Sequence, residues 1–436
     1  MKLQSKRMTA CFVVLLAVSL LGCGGSEKQV IDSSKFKDST YCEKCHRDIY
    51  GQWKKSPHNY SYSDPIYQKL YLLADKETKG KVEETCAGSV CHVPVGSMAG
   101  EIPPADGSKL SEIAKEGIFC DFCHTVSDME KVGNGLYIMS PGKVKRGPFK
   151  DAVSPVHETE YSRMHTESRF CGMCHNFNHP VNDLPLISTF SEWEDSQYNT
   201  GDPETSTACQ DCHMTPGPGE KGNNPGIAAS LGPNRNLVFT HNIVGANIAL
   251  AQIIGSPSHA QLAEERLKSA ATIFINNPPT AERGSSLPIE VFVKNVGAGH
   301  MLPTGVTELR QMWLQVTATD SNGNFVFSSG FLDSKGNVDD KCAMFNTVFA
   351  DIDGKKTSHS WLAEKVISDN RIPPGESKSE KYEIKIPKDL SGQITIDVKL
   401  RYRSAPQDLI YDLLDSEAKK LPITDMASSR AVITVP

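Results

Sequence analysis

Ten of the thirteen cysteines fall into five pairs, and a histidine directly follows the second cysteine of each. Four pairs share the pattern C-x-x-C-H: Cys42 and Cys45 with His46, Cys120 and Cys123 with His124, Cys171 and Cys174 with His175, Cys209 and Cys212 with His213. In the fifth, Cys86 and Cys91 with His92, four residues separate the cysteines. Two thiols at this spacing can add to the vinyl groups of a porphyrin while the adjacent imidazole reaches its iron, so the pentapeptide is the attachment signature of c-type haem. Zinc also takes Cys and His, but structural zinc sites pair C-x-x-C halves without a histidine after each second cysteine. The longer fifth spacer contains Gly88-Ser89, which lets the backbone bulge and still straddle the vinyl groups; a disulfide is the rival for that pair. Four to five haems c are expected, and the cysteine arithmetic favours five. Cys11 leaves with the leader, Cys23 takes a lipid, and Cys342 remains as a buried free thiol.

Eight histidines are left for the second axial positions: His58, His157, His165, His179, His241, His259, His300 and His359. A second imidazole makes a six-coordinate iron suited to electron transfer, whereas a vacancy lets a small molecule bind and react, so the ligand count separates wire from enzyme. His58, in Ser56-Pro57-His58, and His157, His165 and His241 lie in or near Pro- or Gly-punctuated stretches that can present an imidazole. His300 stands in Gly297-Ala298-Gly299-His300-Met301-Leu302-Pro303, where glycines free the backbone to hold it outward; Met301 is a weaker alternative. His179, four residues after His175, suits a hydrogen bond better than ligation of the same haem. His259 is expected to face solvent on a helix opened by Ser256-Pro257, and His359 beside Trp361 is open.

The elements that must hold these residues divide the chain. Lys2, Lys6 and Arg7 precede an apolar run from Ala10 to Leu21 that is too short to span a bilayer, followed by Leu20-Leu21-Gly22-Cys23, a bacterial lipobox pattern. Residues 1–22 are therefore expected to be a lipoprotein signal peptide, Cys23 the lipidated residue, and 23–39 a polar tether. Residues 40–255 read as a multihaem cytochrome c domain of loops and short helices, with helices over Tyr67–Ala74 and Lys109–Lys115. A linker helix follows at 256–270, and 271–436 reads as an antiparallel, immunoglobulin-like β-sandwich of about seven strands with little sign of a helix among them. Ile289, Val291 and Val293 alternate with polar or outward partners, as do Leu314, Val316 and Ala318; Asp320-Ser321-Asn322-Gly323 marks a hairpin, and Ile394 to Tyr402 gives the clearest period of two. The fold class is thus α + β multidomain.

The stretch from Cys42 to His241 resembles the cytochrome c554 family of multihaem cytochromes. The likeness is carried by Trp53, Ser56 and His58; by Cys91-His92-Val93-Pro94; by Gly117-Ile118-Phe119 ahead of Cys120; by Phe170 before Cys171; and by Glu192-Trp193 ahead of Cys209. It implies closely stacked haems, mostly held by two histidines, with His58, His157 and His241 as distal ligands. The wide Cys86 to Cys91 spacer departs from it, and the family's tetrahaem members lack a β-domain.

The formal charge is −6, and loss of residues 1–22 would make it −9, with 43 basic against 52 acidic residues. Phosphate recognition needs a basic stripe, so no nucleic-acid partner is expected. The expected function is electron transfer in an anaerobic or extracellular respiratory chain, with other redox proteins or an extracellular acceptor as partners and assembly with other multihaem cytochromes possible. The alternative is a haem-dependent reductase of a small nitrogen or sulfur compound at one open-faced haem. The lipid anchor places the chain in the cell envelope, at the outer membrane, on its periplasmic face or the cell surface.

Overall fold

The computed structural model describes residues 30–81, 87–218, 222–415 and 418–436. The signal peptide, Cys23 and Cys86 lie outside the described residues. Among the described residues no helix is long and apolar enough to cross a membrane.

Of the stretch expected to be a tether, 23–39, the described residues from 31 onward pack on the haem region. Ile31 and Phe36 are buried, the Ile31 amide donates to the Met98 carbonyl (3.1 Å), and the Ser39 hydroxyl donates to Glu116 (2.6 Å). Two apolar side chains taken out of water hold this segment on the haem region.

Between Thr40 and Leu250 most helices are short, and several, such as Cys120–Thr125 and Cys209–His213, are little more than an attachment motif. The longest, Pro65–Thr78, shows why it forms: Asp64 caps it through Oδ1 to the Ile66 amide (2.9 Å), Pro65 opens it, and Lys79 closes it at φ 55°. It contains the expected Tyr67–Ala74 helix. The helix expected over Lys109–Lys115 is instead turns followed by a 3₁₀ segment, Ala114–Glu116. There Glu101 takes the Ser111 amide (2.9 Å) and hydroxyl (2.8 Å), and Gly117 at φ 69° ends the run before a second turn can repay the cost of starting a helix.

Helix Pro257–Ala270 carries the chain to the β-domain, burying His259, Ala263, Leu267 and Ala270 on one face. His259 is therefore not solvent-facing: its Nδ1 pairs with the Ser256 hydroxyl (2.8 Å) and its Nε2 donates to the Gln52 carbonyl (3.1 Å). With both ring nitrogens satisfied, an imidazole can be buried at little cost.

The β-domain has ten described strands: β1 (Ala271–Asn276), β2 (Ser286–Asn295), β3 (Gln311–Thr319), β4 (Phe325–Ser329), β5 (Thr347–Ala350), β6 (Lys356–Thr357), β7 (Lys365–Asp369), β8 (Ser377–Lys385), β9 (Gly392–Arg403) and β10 (Thr424–Val435). One sheet runs β8-β2-β1, the facing one β4-β3-β9-β10, and β6-β5-β7 forms a small third sheet; every pairing is antiparallel. The period-two residues face inward as expected: Leu287, Ile289, Val291 and Val293 meet Leu314, Val316 and Ala318 and Ile394, Ile396, Val398 and Leu400 in one core. Contrary to the expectation of few helices, Gln407–Leu414 is helical between β9 and β10 and packs Ile410 against Ala249 of the haem region. Cys342 is buried, and burial pushes its thiol up to about 12.

Candidate haem-binding site

Each of the four C-x-x-C-H motifs closes one helical turn. The His46 amide donates to the Cys42 carbonyl (2.9 Å) and the His175 amide to the Cys171 carbonyl (3.0 Å), which brings first cysteine and histidine to the same side. Described cysteines of all five motifs line one continuous cavity of about 1260 Å³. So do His46, His92, His124, His175 and His213.

The imidazoles are aimed alike. Nδ1 donates to a backbone carbonyl in His46 (Ala228, 2.8 Å), His92 (Ser61, 2.8 Å), His124 (Arg146, 2.5 Å) and His213 (Val244, 2.9 Å). The same holds for His157 (Glu158, 3.0 Å), His241 (Phe239, 3.1 Å) and His300 (Met301, 2.8 Å). A carbonyl can only accept, so Nδ1 carries the proton and Nε2 keeps the lone pair that a metal needs. Burial, the first cause in each case, lowers His58 to about 3 and His92, His213 and His241 to about 4, which keeps the rings in the neutral, ligating form.

These rings face one another in pairs. His46 faces His157, His175 faces His58, His124 faces His241 and His213 faces His300, each with ring centres 6.4 Å apart. Two metal–nitrogen bonds of about 2 Å, each extended by the roughly 1.2 Å from Nε2 to its ring centre, add to about 6.4 Å. An iron atom fits each gap. Repetition of one separation by four unrelated residue pairs has no explanation in packing alone.

Two sequence-predicted residues stand differently. His165 lies beside His124 at 5.6 Å, but its Nε2 donates to the Cys123 carbonyl (3.1 Å) and its buried Nδ1 has no hydrogen-bond partner. His241 takes the position across from His124, so His165 is not the second ligand of that site, which differs from the expectation of five distal histidines that included it. His92 enters no 6.4 Å pair among the described residues; Tyr67 stacks flat on it at 4.0 Å, beside the ring rather than across an iron. His179 donates through Nε2 to the Trp361 carbonyl (3.2 Å), and His359 pairs with Glu77 (2.9 Å), so both serve the domain contact.

The attachment sites adjoin in a definite order. Cys42 neighbours Cys120, and Cys171 neighbours Cys209. Cys123 and Cys174 are electrostatic neighbours, and Cys91 Sγ lies 4.0 Å from the Cys174 carbonyl. The sites thus run from Cys42 through Cys120 and Cys171 to Cys209, with Cys91 joining at the centre. The Arg146 side chain also lines the cavity, 92 % buried from its 8 % exposure, with Nε and Nη1 lacking any protein partner. A buried guanidinium with idle donors calls for an anion, and haem carries two propionates.

Residues 41–125 match the family model described as cytochrome c554 and c-prime. The matched stretch, which holds the first three attachment motifs, is similar to that family of multihaem c-type cytochromes. The fold of the chain is similar to that of a penta-heme cytochrome c552 from Thermochromatium tepidum, with TM-score 0.64 and 22 % identity over 92 % of this chain and 99 % of that one. A CARDB domain from Pyrococcus furiosus covers 38 % of this chain and 87 % of its own at 11 % identity, with a TM-score of 0.19 that supports no conclusion. No match was found among curated proteins. The attachment motifs and the matched family model make haem c the cofactor these sites would hold.

Sequence reasoning missed what holds these rings. Asn295 and Glu192 shape the His300 loop, and Tyr67 covers His92. An Asn ending an apolar strand just before Gly-Ala-Gly-His was a readable sign of the first. The other two act on residues far away in sequence and left none.

Proposed function

We propose that this protein carries five haems and relays electrons in an anaerobic or extracellular respiratory chain, tied to the cell envelope by a lipid on Cys23. The four imidazole pairs at 6.4 Å carry this reading. Haem iron, when bound, supplies the one-electron couple. His157, His241, His58 and His300 serve as distal ligands to the sites of His46, His124, His175 and His213, and the carbonyl bonds of His157, His241 and His300 fix ring orientation and raise basicity at Nε2. No acid–base residue is needed for this role. Redox proteins at either end, an outer-membrane address and assembly with other multihaem cytochromes belong to the same proposal; a Cys23→Ser chain found still in the membrane fraction would remove its anchor.

His92 favours a second reading, in which a small nitrogen or sulfur compound is reduced at the haem held there. The face across from His92 has no imidazole among the described residues. Asp64, which caps the helix bearing Tyr67, lines the same cavity, and burial pushes its carboxyl above the usual range, suiting it to hold a proton.

Electron paramagnetic resonance of the oxidised protein and carbon monoxide titration of the reduced one test both. Four low-spin haems and one gas-binding haem per chain are expected. Five low-spin haems without gas binding would sink the reductase, and two or more gas-binding haems would overturn the pairing.

A further inference from the structure

The loop that presents His300 is held from two sides. At its base stands Asn295, the fully buried last residue of β2. Its side-chain oxygen accepts from the Ala298 amide (3.0 Å), and its side-chain amide donates to the carbonyls of His300 (2.9 Å) and Ile372 (3.2 Å). At its outer end stands Glu192 of the haem region, in the helix Thr189–Glu194. Glu192 Oε2 accepts from the Met301 amide (3.2 Å) and the Thr304 hydroxyl (2.6 Å), while Oε1 pairs with the Arg371 guanidinium. Arg371 is bound in turn to Asp369 (2.7 Å).

The Glu192 side chain is only 7 % exposed. A carboxylate so buried is tolerated when its lone pairs are taken by donors, and the donors named here come from residues 301, 304 and 371 of the β-domain. Met301 links the grip to the ring, since its amide is held by Glu192 and its carbonyl accepts the His300 Nδ1 proton (2.8 Å). Holding the 300–301 peptide through its N–H therefore constrains, across the single Cα of Met301, the carbonyl that sets the direction of His300 Nε2.

We propose that Glu192 is a positioning residue for His300, deciding across the domain boundary whether the haem attached at Cys209 and Cys212 keeps two axial nitrogens. This rests on His300 being that haem's distal ligand. The coordination of the last haem then reports on the seating of the β-sandwich. Release of the Glu192 grip opens an iron face without unfolding either region.

The test uses full-length holo-protein with His300→Gly, Glu192→Ala, Glu192→Gln or Thr304→Val, each checked for full haem content. Carbon monoxide bound per chain and low-spin resonance signals are the readouts. His300→Gly should add one gas-binding haem and remove one low-spin signal, and added imidazole should reverse both. Glu192→Ala should produce the same change in a large fraction of molecules, also reversed by imidazole, while Glu192→Gln, which keeps an oxygen for Met301 and Thr304, should stay close to the parent. A Glu192 that only fastened the domains would lower the melting temperature and leave gas binding at the parental value, and that result overturns the proposal. If Glu192→Ala does not accumulate, Thr304→Val decides: a fractional rise in gas binding supports the grip and an unchanged value rejects it. If His300→Gly adds no gas-binding haem, the ligand assignment itself fails and the role of Glu192 falls with it.

Discussion

The haem region and the β-sandwich bury apolar surface in opposite ways. In the sandwich, inward side chains of β2, β3, β9 and β10 fill the space between two sheets, with Leu314, Val316, Ile396 and Val398 wholly shielded from water. In the haem region, Trp53, Phe119, Phe122 and Met173 instead form a shell at a cavity of about 1260 Å³ lined by cysteines and histidines. A core made of side chains writes its period into the sequence. A core made of porphyrin leaves only the points of attachment, which is why one region reads as strands and the other as motifs separated by loops.

The largest expected effect follows directly. Chains made without haem attachment should lose protease resistance across residues 40–255 while keeping the β-sheet circular dichroism of 271–436. Simultaneous digestion of both regions would show that the sandwich depends on the haems as well. Next in size, Leu314→Ala should cost about 2–5 kcal/mol in the melting of the sandwich and leave every haem signal in place; altered haem spectra would erase the distinction.

Glu308 gives a pH-dependent test on the sandwich side. Burial raises its carboxyl to about 7, and Oε2 has no hydrogen-bond partner. Because the folded value exceeds the unfolded one, Glu308 favours folding fully below about pH 4.5, and this contribution fades as pH rises through 7. Glu308→Gln should therefore gain on the parent above pH 7, on the order of 3 kcal/mol when ionisation is complete. Equal melting curves at pH 6 and pH 8.5 for both proteins would contradict this. Smallest of all, Glu264→Gln, which breaks the exposed pair with Lys268 (2.7 Å) on the linker helix, should shift stability by less than about 0.5 kcal/mol.

Legibility in the sequence followed the same divide. The proximal histidines could be placed because covalent attachment forces cysteine and ligand into one helical turn, and the strands because Ile394 to Tyr402 alternate in and out. His165 could not be told from His157 by spacing, since the difference lies in what each ring faces: His157 stands across from His46, whereas His241 takes the position across from His124. His259 misled because Ser256, read as a helix cap, spends its hydroxyl on the imidazole. Helix Gln407–Leu414 was hidden for want of length, and Glu192 because its partners lie 109 or more residues downstream.

Intact mass spectrometry of the purified mature protein, read beside its Soret absorption, tests the central claim most directly. Five covalently bound haems per chain, with none released by acid acetone, are expected. A mass equal to that of polypeptide and lipid alone, or five motifs carrying fewer haems in a fully folded chain, would contradict it.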